Sequence, residues 1–218
     1  MLKKTFAAAI VATAIGFGGP SFMPFAPAAA VAAEMKVMTA GDLRVALNQL
    51  LAEHATLAAS ATGAALRGRK VEFAAAAGAL DNNSIDIANA MGLAYGPAAG
   101  EAFLPLWRKH IGFFVDYTVG KAKGSKKMQD KAVADLLGYA EDFGAFLNSA
   151  SPALPKDAVA GLVKSHILSL KDVVDAQAAK DPKLAYQKIR EAAHHMQMVA
   201  DPLAATLAAQ FPEKFPAL

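Results

Sequence analysis

A threefold internal repeat constrains the fold of this chain more than any other feature of its sequence. The segment from Leu50 to His54 recurs as Leu106 to His110 and as Leu162 to His166, so the three histidines stand 56 residues apart. In each repeat a leucine lies four residues before the histidine, and small or apolar residues lie four and seven residues after it. These spacings fall on one side of an α-helix. Each repeat histidine is therefore predicted to point into the interior of a helical protein.

A second series of motifs lies between the histidine segments. Asp86-Ile87, Asp142-Phe143 and Asp201-Pro202 each occupy a second helical segment; the first two aspartates are 56 residues apart, and the third follows after 59. The two segments of each repeat are separated by breaks near residues 68–70, 123–127 and 180–182, where glycine, lysine or proline accumulate. Each repeat is therefore predicted to be a helical hairpin.

Three hairpins give an all-α fold, a six-helix bundle in one domain over residues 34–218. Alanine, the best helix former, supplies 52 of 218 residues. The 55% hydrophobic content excludes a disordered chain, and the lack of cysteine excludes a disulfide scaffold. The last helix is predicted to break at Asp201-Pro202 because proline removes a backbone hydrogen bond, whereas Asp181 is predicted to cap its start. The six helices are placed near 42–67, 71–94, 101–122, 128–149, 156–179 and 182–211.

The first 33 residues have the pattern of a secretory signal peptide. Lys3 and Lys4 precede an apolar stretch from Phe6 to Phe17, and small residues follow up to a predicted cleavage after Ala32 or Ala33. The sequence thus predicts export, to a periplasm or to the outside of the cell. Of 22 basic residues two lie in this segment, so the mature chain carries 20 basic and 19 acidic residues. This balance does not favour nucleic acid as a partner, and no later apolar run predicts a transmembrane helix.

Hairpin geometry predicts that each histidine faces the aspartate of its own repeat. Residues equidistant from the turn of an antiparallel hairpin lie at the same height, and the midpoint of each histidine–aspartate pair falls in or near a predicted turn. Ile87 and Phe143 have the pattern of core positions, and each neighbouring aspartate lies one step round the helix. The predicted pairs are His54 with Asp86, His110 with Asp142, and His166 with Asp201.

The alternation of these segments resembles an uncharacterised family of exported bacterial proteins built from tandem helical hairpins. In that family, Leu-x-x-x-His-like segments alternate with helices that carry an acidic residue before an aliphatic one. The matching segments are those from Leu50 to His54, from Leu106 to His110 and from Leu162 to His166, with Asp86-Ile87 and Asp142-Phe143. The resemblance covers most of residues 43–215 and implies an α-helical fold and export, but it implies no particular chemistry.

Metal binding is the functional hypothesis that these residue types favour. Neutral imidazole is the commonest metal ligand among side chains, and a carboxylate can orient it or join it. His194 and Met198 share a helix face next to His195, and imidazole with thioether suits copper, above all Cu(I). Copper or zinc is therefore the candidate ion for a non-enzymatic binding protein. The candidate ligands are His54, His110, His166, His194, His195, Met198, Asp86, Asp142 and Asp201.

The competing interpretation is a structural or protein-interaction bundle whose histidine–aspartate pairs only organise the core. How the three repeats pack decides whether the three histidines can share a metal ion. In a linear stack, equivalent helices are about 18–20 Å apart and share no ion. Around a pseudo-threefold axis, His54, His110 and His166 could form a three-histidine site of the kind that binds catalytic zinc. We favour the simple bundle over the closed form. An enzyme without a metal is not favoured, because no serine recurs beside the histidines and no cysteine exists.

Overall fold

The computed structural model describes residues 38–217 and is all-α, as predicted. Both the predicted signal peptide and its cleavage position lie outside the described residues. Each of the six predicted helices is present, with bounds within four residues of those predicted. They are α1 (Ala40–Leu66), α2 (Lys70–Tyr95), α3 (Pro97–Ala122), α4 (Lys126–Ala150), α5 (Lys156–Ala178) and α6 (Pro182–Gln210).

Local sequence signals set the ends of these helices. Thr39 caps α1 through a reciprocal pair of hydrogen bonds with Asp42. The Asp181 side chain accepts from the Leu184 amide and confirms the predicted cap of α6. In the first two hairpin turns, Gly68 and Gly124 adopt φ values of 69° and 63°, which glycine reaches without steric cost. The hairpin turns therefore follow directly from the sequence.

Proline is tolerated inside α6, where a break was predicted. The predicted break at Asp201-Pro202 is wrong, because α6 runs through Pro202 without interruption. Buried residues on both sides of the proline, Ala200 and Ala204, hold this helix against the core, so packing compensates for the lost backbone hydrogen bond. Similarly, α3 starts at Pro97, four residues before its predicted start, since proline suits the first turn of a helix.

The three hairpins close into a ring around a pseudo-threefold axis. Helices α1, α3 and α5 contact one another, and each even-numbered helix packs between two of them, with α6 closing onto α1. The predicted six-helix bundle therefore takes the closed form, which we ranked second. Closure is favoured because it covers the outer faces of the first and third hairpins, which an open stack leaves in water. The ends of the described chain meet at this junction, where the Ala40 amide donates to the Pro216 carbonyl oxygen at 3.0 Å.

On one side of the histidine layer, the core is apolar. Leu47, Leu51 and Ile167 are almost fully buried, as are the predicted core positions Ile87 and Phe143. Within residues 38–217, no helix combines the length and the apolar character needed to cross a membrane.

Candidate metal-binding site: three histidines at the axis

The three repeat histidines meet at the axis of the ring, one from each inner helix. Their exposed fractions are 1% for His54, 3% for His110 and 5% for His166. The Nε2 atoms of His54 and His110 lie 3.3 Å apart, and the ring centroids of the same pair lie 5.2 Å apart. The His166 ring lies 5.8 Å from that of His54. The predicted inward orientation is confirmed, and closure of the ring makes it a common site, which we call the histidine trio.

The trio is held in its neutral form by burial. Desolvation lowers the pKa of His54 well below its ordinary value, and neighbouring His110 lowers it further. Burial lowers the pKa of His110 to about 3, with an added effect from His166. The pKa of His166 is also lowered to about 3, first by burial and then by His54 and His195. All three rings therefore carry a free electron pair at neutral pH, the form that binds metal ions.

A second repeated position surrounds the trio from the outer helices. It lies 33 residues after the repeat leucine and is occupied by Asn83, Tyr139 and His195. Asn83 Nδ2 donates to the backbone carbonyl of its repeat leucine at 3.0 Å, and His195 Nε2 lies 3.2 Å from the equivalent carbonyl. The Tyr139 ring stacks on His110 with centroids 5.0 Å apart. Sequence reasoning missed this set, although extending the 56-residue spacing from residue 83 to residues 139 and 195 finds it.

Unpartnered polar atoms are concentrated in this layer. Within residues 38–217, seven buried side-chain nitrogen or oxygen atoms lack a hydrogen-bond partner, and all of them belong to the trio or to its neighbours. Buried polar groups are rarely left unpaired, and each one costs about 1–3 kcal/mol. These atoms therefore lower the stability of the fold, and they are available to bind a ligand. The seven atoms are Nδ1 of His54, His110 and His166, Nε2 of His166, Oδ1 of Asn83, Nε1 of Trp107 and the Tyr139 hydroxyl.

The aspartates do not pair with the histidines, and this part of the hypothesis is wrong. Asp86 and Asp142 are exposed, and Asp142 lies 3.5 Å from Lys109 on the surface. Asp201 binds Arg44 through two hydrogen bonds of 2.8 and 2.6 Å. Asp86 and Asp142 each directly precede an inward position, so their side chains point about 100° away from the core. Asp201 is also out of register, because residue 198 lies 56 residues after Asp142.

The predicted histidine and methionine cluster on α6 does not join the trio as a unit. His194 and Met198 are exposed on one face of the helix, and Met198 retains 59% of its exposure. His195 is half-buried, and its contact with the carbonyl oxygen of Leu162 places it one helical turn from His166. The buried methionine of this segment is Met196, at 2% exposure.

A small cavity of about 60 Å³ adjoins the trio on the side of Trp107. Two trio members, His110 and His166, line it, as do the thioether side chains of Met91 and Met196. Among the residues that the structure describes, the rest of its lining is apolar apart from a tyrosine and includes no carboxylate. Imidazole and thioether together are the donor set expected for a soft metal ion.

No preformed metal centre is present in the part of the chain that the structure describes, since no three His, Cys, Asp or Glu side chains have the arrangement needed to hold an ion. The arrangement nevertheless supplies two nitrogens at ligand spacing. Two nitrogens bound about 2.0–2.1 Å from a tetrahedral ion lie about 3.3 Å from each other. The His54–His110 contact has this length, which also fits a weak N–H···N hydrogen bond. Coordination by all three rings therefore requires a side-chain movement of His166.

Comparisons with known proteins give no further guidance, since no family model, curated protein or solved structure matches the chain. The functional argument therefore depends on the geometry of the site alone.

Proposed function

We propose that the protein binds one Cu(I) ion through His54, His110 and His166 and acts as an exported, non-enzymatic copper-binding protein. The observation that carries the proposal is the convergence of three neutral, buried imidazoles, four of whose six ring nitrogens lack a partner within residues 38–217. A metal ion would satisfy one nitrogen of each ring. In the metal-free core, the same atoms reduce the stability of the fold.

The spacing of the first two ligands supports coordination through Nε2. His54 and His110 already hold their Nε2 atoms 3.3 Å apart, and Trp107 packs against both rings with centroids 4.9 and 4.7 Å away. This packing limits rotation of the two rings. Within residues 38–217, neither nitrogen of His166 has a hydrogen-bond partner, so its turn toward the ion breaks no hydrogen bond.

The charge of the surroundings favours Cu(I) over Zn²⁺. Within residues 38–217, no carboxylate lines the small cavity between His110 and His166, so an ion bound there keeps its full charge in an apolar environment. The cost of burying an ion grows with the square of its charge, which penalises a divalent ion more than a monovalent one. Cu(I) also accepts low coordination numbers and soft donors, and Met91 and Met196 lie on the same cavity.

Anaerobic titration with Cu(I), against a chromophoric competitor chelator, tests the proposal. We expect one Cu(I) per chain and weaker binding of Zn²⁺. At a free ion concentration 100 times Kd, binding adds about 2.7 kcal/mol to the free energy of unfolding. For a domain of this size that shift corresponds to a rise in Tm of about 5–10 °C. X-ray absorption of the complex should show nitrogen ligands.

Matched variants separate the trio from the surface histidines. His110→Leu and His166→Leu should lose stoichiometric Cu(I) binding while remaining helical by circular dichroism. His194→Gln, which changes an exposed residue of α6, should bind as the unaltered protein does. Binding that survives loss of either trio histidine, or absence of any stoichiometric binding, contradicts the proposal and favours a structural bundle.

A further inference from the structure

A second cavity, of about 360 Å³, lies on the opposite side of the histidine trio from the small one. On α1, the small cavity is lined by Leu47 and Leu51, which precede His54, whereas the second is lined mainly by residues that follow it, between Ala58 and Ala65. Helices α1, α2 and α3 supply almost all of its lining. Cavities of this volume with an apolar lining and few polar groups are typical of small-molecule sites.

This cavity exists because the first repeat carries alanine where the other two repeats carry larger side chains. Ala58, Ala61 and Ala77 line it, and each has an equivalent 56 and 112 residues further along the chain. The equivalents are at least partly buried and are, in the same order, Phe114 and Leu170, Tyr117 and Val173, and Val133 and Ile189. The repeat could therefore have filled this space with its own side chains. Because an unfilled cavity lowers the stability of a fold, its presence points to a ligand.

The uncharged polar side chains of the lining offer a ligand no free hydrogen-bonding group. Thr62 and Thr118 donate their hydroxyl hydrogens to carbonyl oxygens of their own helices, at 3.0 and 2.8 Å. The Nε2 atoms of His54 and His110 contact each other, and the Nδ1 atoms of both rings have almost no accessible surface. The two rings therefore contribute no free nitrogen to the wall of the cavity. A molecule bound there is recognised by its apolar surface.

The charged side chains of the lining favour a neutral ligand. Arg108 and Asp81, which are 39% and 34% exposed, form two parallel hydrogen bonds of 2.7 and 2.8 Å. Asp116, the third charged residue of the lining, is half-buried and also has a partner. One guanidinium and two carboxylates give the lining a formal charge of −1, which opposes an anion. A cation would lose its hydration among alanines and gain little from carboxylates that already have partners.

We propose that this cavity binds a neutral, mainly hydrocarbon molecule of two or three rings. A cavity of about 150 Å³ holds benzene, so the volume here suits about two to three rings. Phe73 and Phe114 line the cavity and offer aromatic contacts to the rings of the ligand. This inference does not depend on the proposed function, because binding is measured on protein from which metal has been removed.

Fluorescence titration of chelator-treated protein with N-phenyl-1-naphthylamine tests this site. The probe is neutral, has three aromatic rings and emits strongly only in apolar surroundings. We expect saturable binding of one molecule per chain. The anion 8-anilino-1-naphthalenesulfonate, which has the same rings and an added sulfonate, should bind about tenfold more weakly. The cation 1-naphthylmethylammonium should displace the probe less readily than neutral 1-methylnaphthalene does. Lack of saturable binding, or a preference for either charged molecule, would overturn the proposal.

Variants that fill the cavity with residues of the third repeat localise the binding. Ala58→Leu, Ala61→Val and Ala77→Ile together introduce the side chains found at the equivalent positions, and should abolish binding in a protein that stays helical by circular dichroism. Ala77→Ile alone should weaken binding by about tenfold, since less apolar surface of the ligand is then buried. The single variant decides the question if the triple variant does not fold.

Ala75→Ile is the matched control for Ala77→Ile. Ala75 is an exposed alanine of the same helix and does not line the cavity, so its variant should bind the probe as the unaltered protein does. If Ala75→Ile and Ala77→Ile bind equally well, or if the folded triple variant binds as tightly as the unaltered protein, the probe does not occupy this cavity and the proposal is wrong.

Discussion

At the scale of single residues, the histidine trio lowers the stability of the core because several of its buried nitrogens have no hydrogen-bond partner among the described residues. His54 and His110 share one contact through their Nε2 atoms, but neither nitrogen of His166 has a partner among the described residues. A leucine of similar size at this position would need no partner. Residues that reduce stability in this way are a mark of a functional site, where stability is commonly lower than the fold could reach.

Replacing His166 by leucine should therefore stabilise the metal-free protein. His166→Leu removes two unpaired buried nitrogens, and we expect the free energy of unfolding to rise by about 1–2 kcal/mol, as measured by urea denaturation at pH 7. His54→Leu is the control. It removes the Nε2 contact that His110 makes with His54, and should give no gain or a loss. A marked loss of stability in His166→Leu would mean that this histidine supports the fold.

Burial of three neutral imidazoles also makes stability depend on pH. The folded-state pKa values of His110 and His166 are lowered to about 3, and that of His54 is lowered too, so the unfolded chain binds protons more readily. Stability is therefore highest above the ordinary histidine pKa of about 6.5, and falls as the pH drops from there toward about 3.

Denaturation at a series of pH values measures this effect. Each histidine contributes at most about 1.4 kcal/mol per pH unit, so the trio together contributes up to about 4 kcal/mol per unit in the steepest range. In His166→Leu, the change in the free energy of unfolding per pH unit should be smaller by about one third. A stability profile that is flat between pH 6 and pH 4 would contradict neutral burial of the trio.

At the scale of helices, glycine sets how closely neighbours approach. A Cβ atom on Gly144 of α4 would lie 2.5 Å from the carbonyl oxygen of Lys156, at the start of α5. On Gly138 of the same helix, a Cβ would meet nothing within 4 Å. Gly144 therefore allows α4 and α5 to pack closely. Gly138 makes no such contact and only lowers the stability of the helix.

Alanine substitutions should separate these roles. We expect Gly144→Ala to lower the free energy of unfolding by about 2–4 kcal/mol, because α4 and α5 must move apart. Gly138→Ala should raise it by about 0.5–1 kcal/mol through better helix propensity. Thermal denaturation of both variants checks the prediction. If Gly144→Ala leaves the free energy of unfolding unchanged, the close approach of α4 and α5 at this glycine is not needed for stability.

The elements were largely predictable from the sequence, whereas the side-chain partners were not. Turn glycines and the Asp181 cap act within a few residues, so the hairpins followed from local signals. Inward orientation of the histidines followed from their apolar stripe. The aspartates were misplaced because one residue of helix rotates a side chain by about 100°. Ile87, not Asp86, faces the core, and the register is 56 residues throughout, which puts Met198 where Asp201 was expected.

At the scale of the whole molecule, ring closure decides what the histidines can do together. A hairpin sequence shows which faces are apolar, but not which other hairpin covers them. Contact between α1 and α6 closes the ring, and it includes the hydrogen-bonded ion pair of Arg44 with Asp201. The same closure brings the two ends of the described chain together at Ala40 and Pro216.

A circularly permuted chain should therefore keep the fold. We would join residue 217 to residue 38 by a short flexible linker and open the chain in the exposed turn at Gly124. The permutant should give the helical spectrum, cooperative melting and Cu(I) stoichiometry of the original order. Opening the chain within α3, before Gly112, is the control and should prevent folding. If the Gly124 permutant does not fold, the ends do not meet as described.

Each imidazole of the trio is supplied by a different hairpin, with one repeat length between the first and the second and another between the second and the third. Whatever ligand the imidazoles take, a fragment lacking any one hairpin loses both a donor and the seam that aligns the remaining two. Under the proposed function, capture of the ion therefore requires that all three hairpins have been synthesised. Chains that stop short of the third hairpin would remain empty, so loading would distinguish complete chains from incomplete ones.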